Sequence, residues 1–137
     1  MLPSKINLDV ATPERLVFSQ EVDELILPGI EGYLGVRPGH TPLLVGLGVG
    51  MLSWLRAGQE GHMAVSLGYA EVQPDRVVVL AETAEMAQEI DLDRARTAKE
   101  RAEQLLERKQ DPDATFEGAR AALLRAATRI SVAGKKR

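Results

Sequence analysis

The stretch Ile90-Asp91-Leu92-Asp93-Arg94-Ala95 decides the fold, because short apolar runs of strand type end just before it and a helical period begins inside it. Asp91 is a good N-cap, with a short side chain able to accept from the free amides of a first helical turn. After it, Leu92, Ala95, Ala98, Ala102 and Leu105 recur every three or four residues, which predicts one helix over Leu92 to Lys109 with these residues along one face. Asp111-Pro112-Asp113 reads as a turn, and Phe116, Ala119, Leu123, Ala126 and Ile130 mark the apolar face of a second helix. Residues 87–137 are therefore expected to form an antiparallel helical hairpin. Most of its facing positions are alanine, so the helices can approach closely, but at about 25 cal/mol per Å² each contact buries little. Gly118 inside the second helix costs about 1 kcal/mol relative to alanine.

Before the joint the period is two. Ile6, Leu8 and Val10 alternate with Lys5, Asn7 and Asp9, the pattern of a strand with one buried and one wet face. Leu16 to Phe18 and Val22 to Leu27 are further apolar runs. Glu31-Gly32, Gly35, Pro38-Gly39 and Pro42 then crowd turns into a dozen residues. Met51 to Leu55 and Met63 to Ser66 flank a polar turn at Ala57 to Gly61, while Tyr69 to Val72 and Arg76 to Leu80 flank Pro74-Asp75, giving two hairpins. This predicts eight to ten short strands and, with no crossover helix among them, a β-sandwich over residues 1–86. The fold class is α+β, with the sandwich N-terminal and the hairpin C-terminal.

With 137 residues and 45% apolar content, the chain can build a packed core. The absence of cysteine removes disulfides and zinc-thiolate sites, and two histidines, His40 and His62, make a histidine metal site unexpected. The longest nearly apolar run, Leu43 to Leu55, is broken by Gly46, Gly48, Gly50 and Ser53 and falls short of the roughly 20 residues of a spanning helix. The start of the chain leads straight into an alternating strand, so no export signal is expected. Residues 1–86 hold 5 basic and 11 acidic side chains and residues 87–137 hold 12 and 9. That asymmetry suggests two functional halves, the second of which meets something acidic. Nucleic acid is a poor candidate for that role, since the basic residues are diluted by glutamates and only Phe116 is aromatic there.

Arg94, Arg101 and Arg108 are spaced by seven on the first helix, which suits a solvated face of charge pairs worth about 0.2 to 0.5 kcal/mol each. Arg125 and Arg129 differ. They are like charges at i and i+4 with no acidic residue within a turn on either side, an arrangement that calls for a nearby anion. Gly46, Gly48 and Gly50 alternate within an apolar run and leave two readings open: close sheet-to-sheet approach, or a flat strand that receives a partner. No glycine-rich phosphate loop, metal-binding acidic pair or nucleophile beside a base is visible, so no catalytic residue and no metal ligand is assigned. His40 reads as mainly structural.

Glu31-Gly32-Tyr33-Leu34-Gly35-Val36-Arg37-Pro38-Gly39-His40-Thr41-Pro42-Leu43-Leu44, then Gly68-Tyr69-Ala70-Glu71-Val72, then Ile90 to Ala95 and a helical pair, follow in an order that strongly resembles the ε subunit of the F-type rotary ATP synthase. The resemblance covers nearly the whole chain. It implies a non-catalytic central-stalk subunit that links the γ subunit to the c-ring and inhibits ATP hydrolysis through an ATP-sensitive hairpin. It also implies contact with the catalytic α and β subunits and a peripheral place on the cytoplasmic face of the cell membrane, held there through the complex. In bacterial members an Ile-Asp-x-x-Arg-Ala motif and two later arginines bind ATP, which carries over here to Glu85, Ile90, Asp91, Arg94, Ala95, Arg101, Arg125 and Arg129. ATP is then a regulatory ligand and no cofactor is required. By the same resemblance Glu31, Gly32 and His40 contact the c-ring, while the basic excess of the second helix and tail, which faces only Asp113 and Glu117, is expected to bring Arg120, Lys135 and Lys136 against an acidic segment of the β subunit. Met86 and Gln88 depart from the more charged linker expected in the family. The alternative function is a free-standing ATP-binding sensor.

Overall fold

The computed structural model describes residues 3–107 and 116–135. The predicted turn at Asp111 to Asp113, Arg108, Lys136 and the side chain of Phe116 lie outside the described residues. The chain divides into two compact units, Met1–Met86 and Ala87–Arg137.

The first unit is a β-sandwich of eight strands: β1 (Ile6–Ala11), β2 (Leu16–Val22), β3 (Glu24–Gly29), β4 (Gly32–Val36), β5 (Leu43–Leu47), β6 (Gly50–Arg56), β7 (Gln59–Val72) and β8 (Arg76–Met86). The order β2-β1-β8-β7-β5-β3-β4 is antiparallel except where β1 runs parallel to β8, and β6 pairs with both β3 and β7. Alternation fills the interior as expected. Ile6, Leu8 and Val10 of β1 are fully buried together with Leu25 and Leu27 of β3, Leu52 of β6 and Val77 and Val79 of β8. Phe18 and Trp54 close one part of this core with ring centroids 4.4 Å apart and tilted by 44°. The indole lies over Gly61, where a Cβ would fall 2.2 Å from the ring.

Two strands are longer than the turn-rich sequence suggests. β7 runs 14 residues and β8 runs 11, so Met63 to Ser66 and Tyr69 to Val72 belong to one strand. It serves two partners: residues 59–65 pair with β6 and residues 68–72 with β5. The change of partner occurs at Leu67 (φ 52°) and Gly68, where the backbone turns left-handed and a Cβ on Gly68 would sit 2.0 Å from the Leu80 carbonyl oxygen. In the sequence this irregularity has the look of a strand end.

The glycines Gly46, Gly48 and Gly50 do not form one flat strand. Gly46 lies in β5, Gly50 opens β6, and Gly48 sits in the connection between them. Gly46 is overlaid by the Ile30 side chain, 3.1 Å from where a Cβ would be, and Gly50 by Pro28 at 2.6 Å. Close approach within the sandwich therefore accounts for Gly46 and Gly50.

The second unit opens with a short 3-10 turn at Ala87–Glu89, followed by α1 (Leu92–Glu107) and α2 (Phe116–Ala133), which pack on each other as an antiparallel hairpin. Asp91 caps α1 as expected. Its Oδ1 accepts the Arg94 amide at 3.1 Å and its carbonyl accepts the Ala95 amide at 3.0 Å. Among the described side chains, the buried residues of α1 are Ala95 and Ala102, and those of α2 are Ala119, Ala126, Val132 and Ala133. Alanines thus recur every seven residues on both helices, a narrow stripe that suits close antiparallel packing. Leu105, expected on the inner face, is 40% exposed, and Leu106, four residues beyond Ala102, is the more covered of the two.

Candidate functional site

The alanine stripe fixes where the hairpin's arginines stand. Arg94 and Arg101 each precede a stripe alanine by one residue, so both lie about 100° to one side of the seam on α1. Arg125 precedes Ala126 in the same way on α2. Because the helices run antiparallel, the same angular offset on each brings these residues to one and the same edge of the hairpin. Arg129, three residues beyond Ala126, turns to that edge also. Between them stand small side chains, Ala98 and Ala122, both half-buried. Arg94 and Arg101 are exposed, and Arg125 and Arg129 are half-buried. Four guanidinium-bearing positions thus border a shallow strip with little bulk on it, and planar guanidinium groups are suited to paired hydrogen bonds with phosphate oxygens.

The other expected nucleotide residues fare differently. Ile90 and Ala95 are each 3% exposed, so in this state they pack rather than present a surface. Asp91 is exposed with one carboxylate oxygen engaged in capping. Glu85 belongs to β8 of the sandwich, paired opposite Ala64 of β7. Arg120 follows Ala119 and therefore faces the opposite edge from the other four arginines. Lys135 is exposed in a turn just after α2, its amide donating to the Val132 carbonyl at 3.0 Å.

In the sandwich, Ile30 and Glu31 form the exposed turn between β3 and β4, and Gly32 opens β4 in a left-handed conformation at φ 133°. His40 lies beyond the other end of β4, a strand of five residues spanning roughly 16 Å. The three were expected on one contact edge, and the structure separates them. His40 is half-buried with Nδ1 2.7 Å from the Thr41 carbonyl, in a loop tied to the β7–β8 turn by the Gly39 amide on the Pro74 carbonyl at 2.7 Å. Beside Glu31 is a groove of about 390 Å³ lined by Ile30, Gly32, Tyr33, Leu43 and Leu44 among others. Ile30 is 71% exposed and Leu44 69%.

An apolar row was not anticipated. Leu16, Ala11, Leu80, Tyr69 and Gly46 stand side by side in register across β2, β1, β8, β7 and β5, on the outward face, and Ile30 covers Gly46. Leu16, Leu80, Tyr69 and Ile30 are all exposed. The signal was in the parity: these residues occupy the outward positions of their strands, where polar side chains are the rule.

The reading that no nucleophile stands beside a base is corrected by the β6–β7 ladder. Ser53 and His62 are cross-strand partners, with Ser53 Oγ 3.0 Å from His62 Nδ1 and Glu60 3.5 Å from Nε2. Only the register brings the two together, and it gives Nδ1 of a half-buried imidazole a hydrogen-bond partner. No described helix is long and apolar enough to cross a membrane.

Residues 5–87 match the profile of the ATP synthase delta/epsilon chain β-sandwich domain, and residues 88–134 match that of its long α-helix domain. The chain is similar to the ATP synthase epsilon chain of Geotalea uraniireducens, 46% identical over 134 residues, covering 98% of this chain and 97% of the relative. It is 44% identical to that of Geobacter sulfurreducens over the same length and the same shares. Among solved structures, a chain of the Euglena gracilis mitochondrial ATP synthase, OSCP/F1/c-ring, superposes with a TM-score of 0.82 at 22% identity over 93% of this chain and 81% of that one. A chain from the Tetrahymena thermophila mitochondrial central stalk and c-ring superposes at 0.58 and 17%, over 96% and 95%.

Proposed function

The chain belongs to the ATP synthase delta/epsilon-chain family as an epsilon-type member, and from that premise we propose that it links the γ subunit to the c-ring and restrains ATP hydrolysis through a hairpin that ATP holds closed. It is a non-catalytic subunit. The observation that carries the regulatory part is the arginine edge: Arg94, Arg101, Arg125 and Arg129 are offset to one side of the alanine seam from two different helices. They can converge on one triphosphate only while the helices are packed together. Separating the helices disperses them, so ligand binding selects the closed hairpin. A ligand at 100 times its dissociation constant favours the competent state by about 2.7 kcal/mol, comparable to what a seam of alanine methyl groups lacks.

The sandwich supplies the assembly surfaces of this reading. The apolar row from Leu16 to Ile30 is the face for γ, and the exposed turn at Glu31, with Gly32 after it and the groove beside it, is the edge for the polar loops of the c-ring. Arg120, on the other side of α2, and Lys135 and Lys136, which follow that helix in sequence, are left for an acidic segment of the β subunit when the hairpin extends, with α beside it. The chain is then peripheral at the cytoplasmic face of the membrane, held through the complex, and ATP is its regulatory ligand.

The test replaces Arg125 and Arg129 together with alanine in the reconstituted complex and measures ATP binding and the ATP concentration at which hydrolysis becomes restrained. Binding is expected to fall at least tenfold and restraint to persist to higher ATP. Unchanged binding would reduce these arginines to a solvated face, and lost binding with unchanged restraint would separate the site from the switch. Failure of the purified chain to co-migrate with γ would favour a free-standing sensor.

A further inference from the structure

Next to the apolar row of the sandwich, on the same outward face, a second row stands in register: Ser19, Asp9, Val78, Glu71 and Leu44, across β2, β1, β8, β7 and β5. It holds two carboxylates, and they are served differently. Asp9 accepts from the Ser19 hydroxyl at 2.5 Å and from the Arg76 guanidinium at 3.3 Å, so its charge is balanced within the sandwich. Glu71 has a neutral partner, Gln73, whose Nε2 donates to its Oε1 at 3.0 Å. Among the described residues no lysine or arginine pairs with Glu71, whereas Asp23 and Glu24 are paired with Lys5 and Arg37. Strand parity sets its direction: Ala70 and Val72, on either side of it along β7, are fully buried, so Glu71 projects outward and is exposed. The register puts Leu44 and Val78 beside it on the two neighbouring strands, and Tyr69 is the next outward residue of β7. Leu44 and Tyr69 are themselves exposed.

A partner seated on Leu80, Tyr69 and Leu44 takes water away from the Glu71 carboxylate. A carboxylate left with one amide in place of water is costly to cover, and a cation brought by the partner offsets that cost. We propose that the partner of this face presents a lysine or arginine, set in apolar surface, that pairs with Glu71 and fixes the register of the docked surfaces. This rests on the reading of the face as the seat of γ, and it assigns the specificity of that contact to one charge. Apolar rows tolerate sliding, whereas a single covered ion pair favours one alignment and rejects a surface without the cation.

The experiment measures binding of the full chain to the purified γ subunit by surface plasmon resonance, for the native protein, Glu71→Gln, Glu71→Lys and Glu60→Gln. Glu60 is the control, an exposed carboxylate in the part of β7 that pairs with β6. Glu71→Gln keeps the shape and loses the charge, and is expected to bind about tenfold more weakly, while Glu71→Lys, which repels the cation, should lose about a hundredfold. Glu60→Gln should stay within about twofold of the native chain, since its charge lies off the docked rows. Trp54 fluorescence of each variant reports that the sandwich is folded. The proposal is overturned if Glu71→Gln binds as tightly as the native chain, or if Glu71→Lys is no weaker than Glu71→Gln. An equal loss in Glu60→Gln overturns it too, because the effect would then belong to overall charge rather than to this position. A native chain that does not bind γ removes the γ reading of the face itself, an outcome distinct from these.

Discussion

The sandwich and the hairpin bury different things. In the sandwich Ile6, Leu8, Leu25, Leu27, Leu52 and Met63 are each less than 2% exposed, large side chains drawn from strands distant in sequence. Among the described side chains of the two helices, the buried ones are alanines apart from Val132. At about 25 cal/mol per Å² a buried leucine contributes roughly 2 kcal/mol and an alanine methyl a fraction of that. One unit holds its shape through a large apolar core, and the other can separate without large cost. The stalk subunit proposed above, whose hairpin responds to ATP, would draw on both properties, and their separation into two units lets each vary alone.

The strongest way to break this contrast is to make the sandwich core as sparse as the hairpin seam. Leu52→Ala removes a fully buried side chain from β6, the strand that joins β3 to β7. Such truncations cost about 2 to 5 kcal/mol. Urea unfolding followed by the fluorescence of Trp54, the single tryptophan, reads the sandwich alone. A loss under about 1 kcal/mol would mean that the core is not the rigid element described.

The converse overfills the seam. Ala102→Leu inserts a branched side chain where a methyl group lets the helices meet, and overpacking of this kind costs about 1 to 3 kcal/mol. The effect should be confined to residues 87–137: amide exchange in α1 and α2 should accelerate while the Trp54 unfolding midpoint stays put. If the midpoint moved with the helices, the two units would share one cooperative transition and the separation drawn above would fail.

Much of this contrast was legible in the sequence, and the exceptions have physical causes. The change of period at Ile90 to Ala95 located the joint, since a shift from two to 3.6 residues needs only local information. The alanine spacing foretold a thin seam, although Val132 and Leu106 were missed because the stripe drifts around a straight helix. Cross-strand register is nonlocal. Nothing near Ser53 in sequence announces that His62 lies opposite it, and nothing near Leu67 shows that one 14-residue strand changes partners there. The apolar row from Leu16 to Gly46 is invisible for the same reason, since its members come from five strands. Likewise Glu31 and His40 are close in sequence but at opposite ends of β4.

The finest distinction between the units is electrostatic and concerns pH. Asp23, at the turn between β2 and β3, accepts from the Lys5 ammonium and from the Ala57 amide at 2.9 Å. It thereby ties the start of β1 to the tight β6–β7 turn, where Ala57 is held at φ 51°. The Lys5 hydrogen bond first, and then the Ala57 amide, hold the Asp23 carboxyl below its ordinary value of 3.8. A folded-state value below the unfolded one means that the native state prefers the ionised carboxylate. Its stabilisation is complete above about pH 4 and is lost as pH falls below 3.8 through the folded value. The side chains are partly exposed, so the effect is small and weakened by salt. Asp23→Asn should therefore lower the Trp54 unfolding midpoint slightly at pH 7 and equally at pH 5, with the gap narrowing at pH 3. The helical signal of the hairpin should not follow. A gap of the same size at pH 3 would refute the charge of Asp23 as the source of the effect, because asparagine retains an oxygen that can accept the Ala57 amide and lacks only the charge that Lys5 requires.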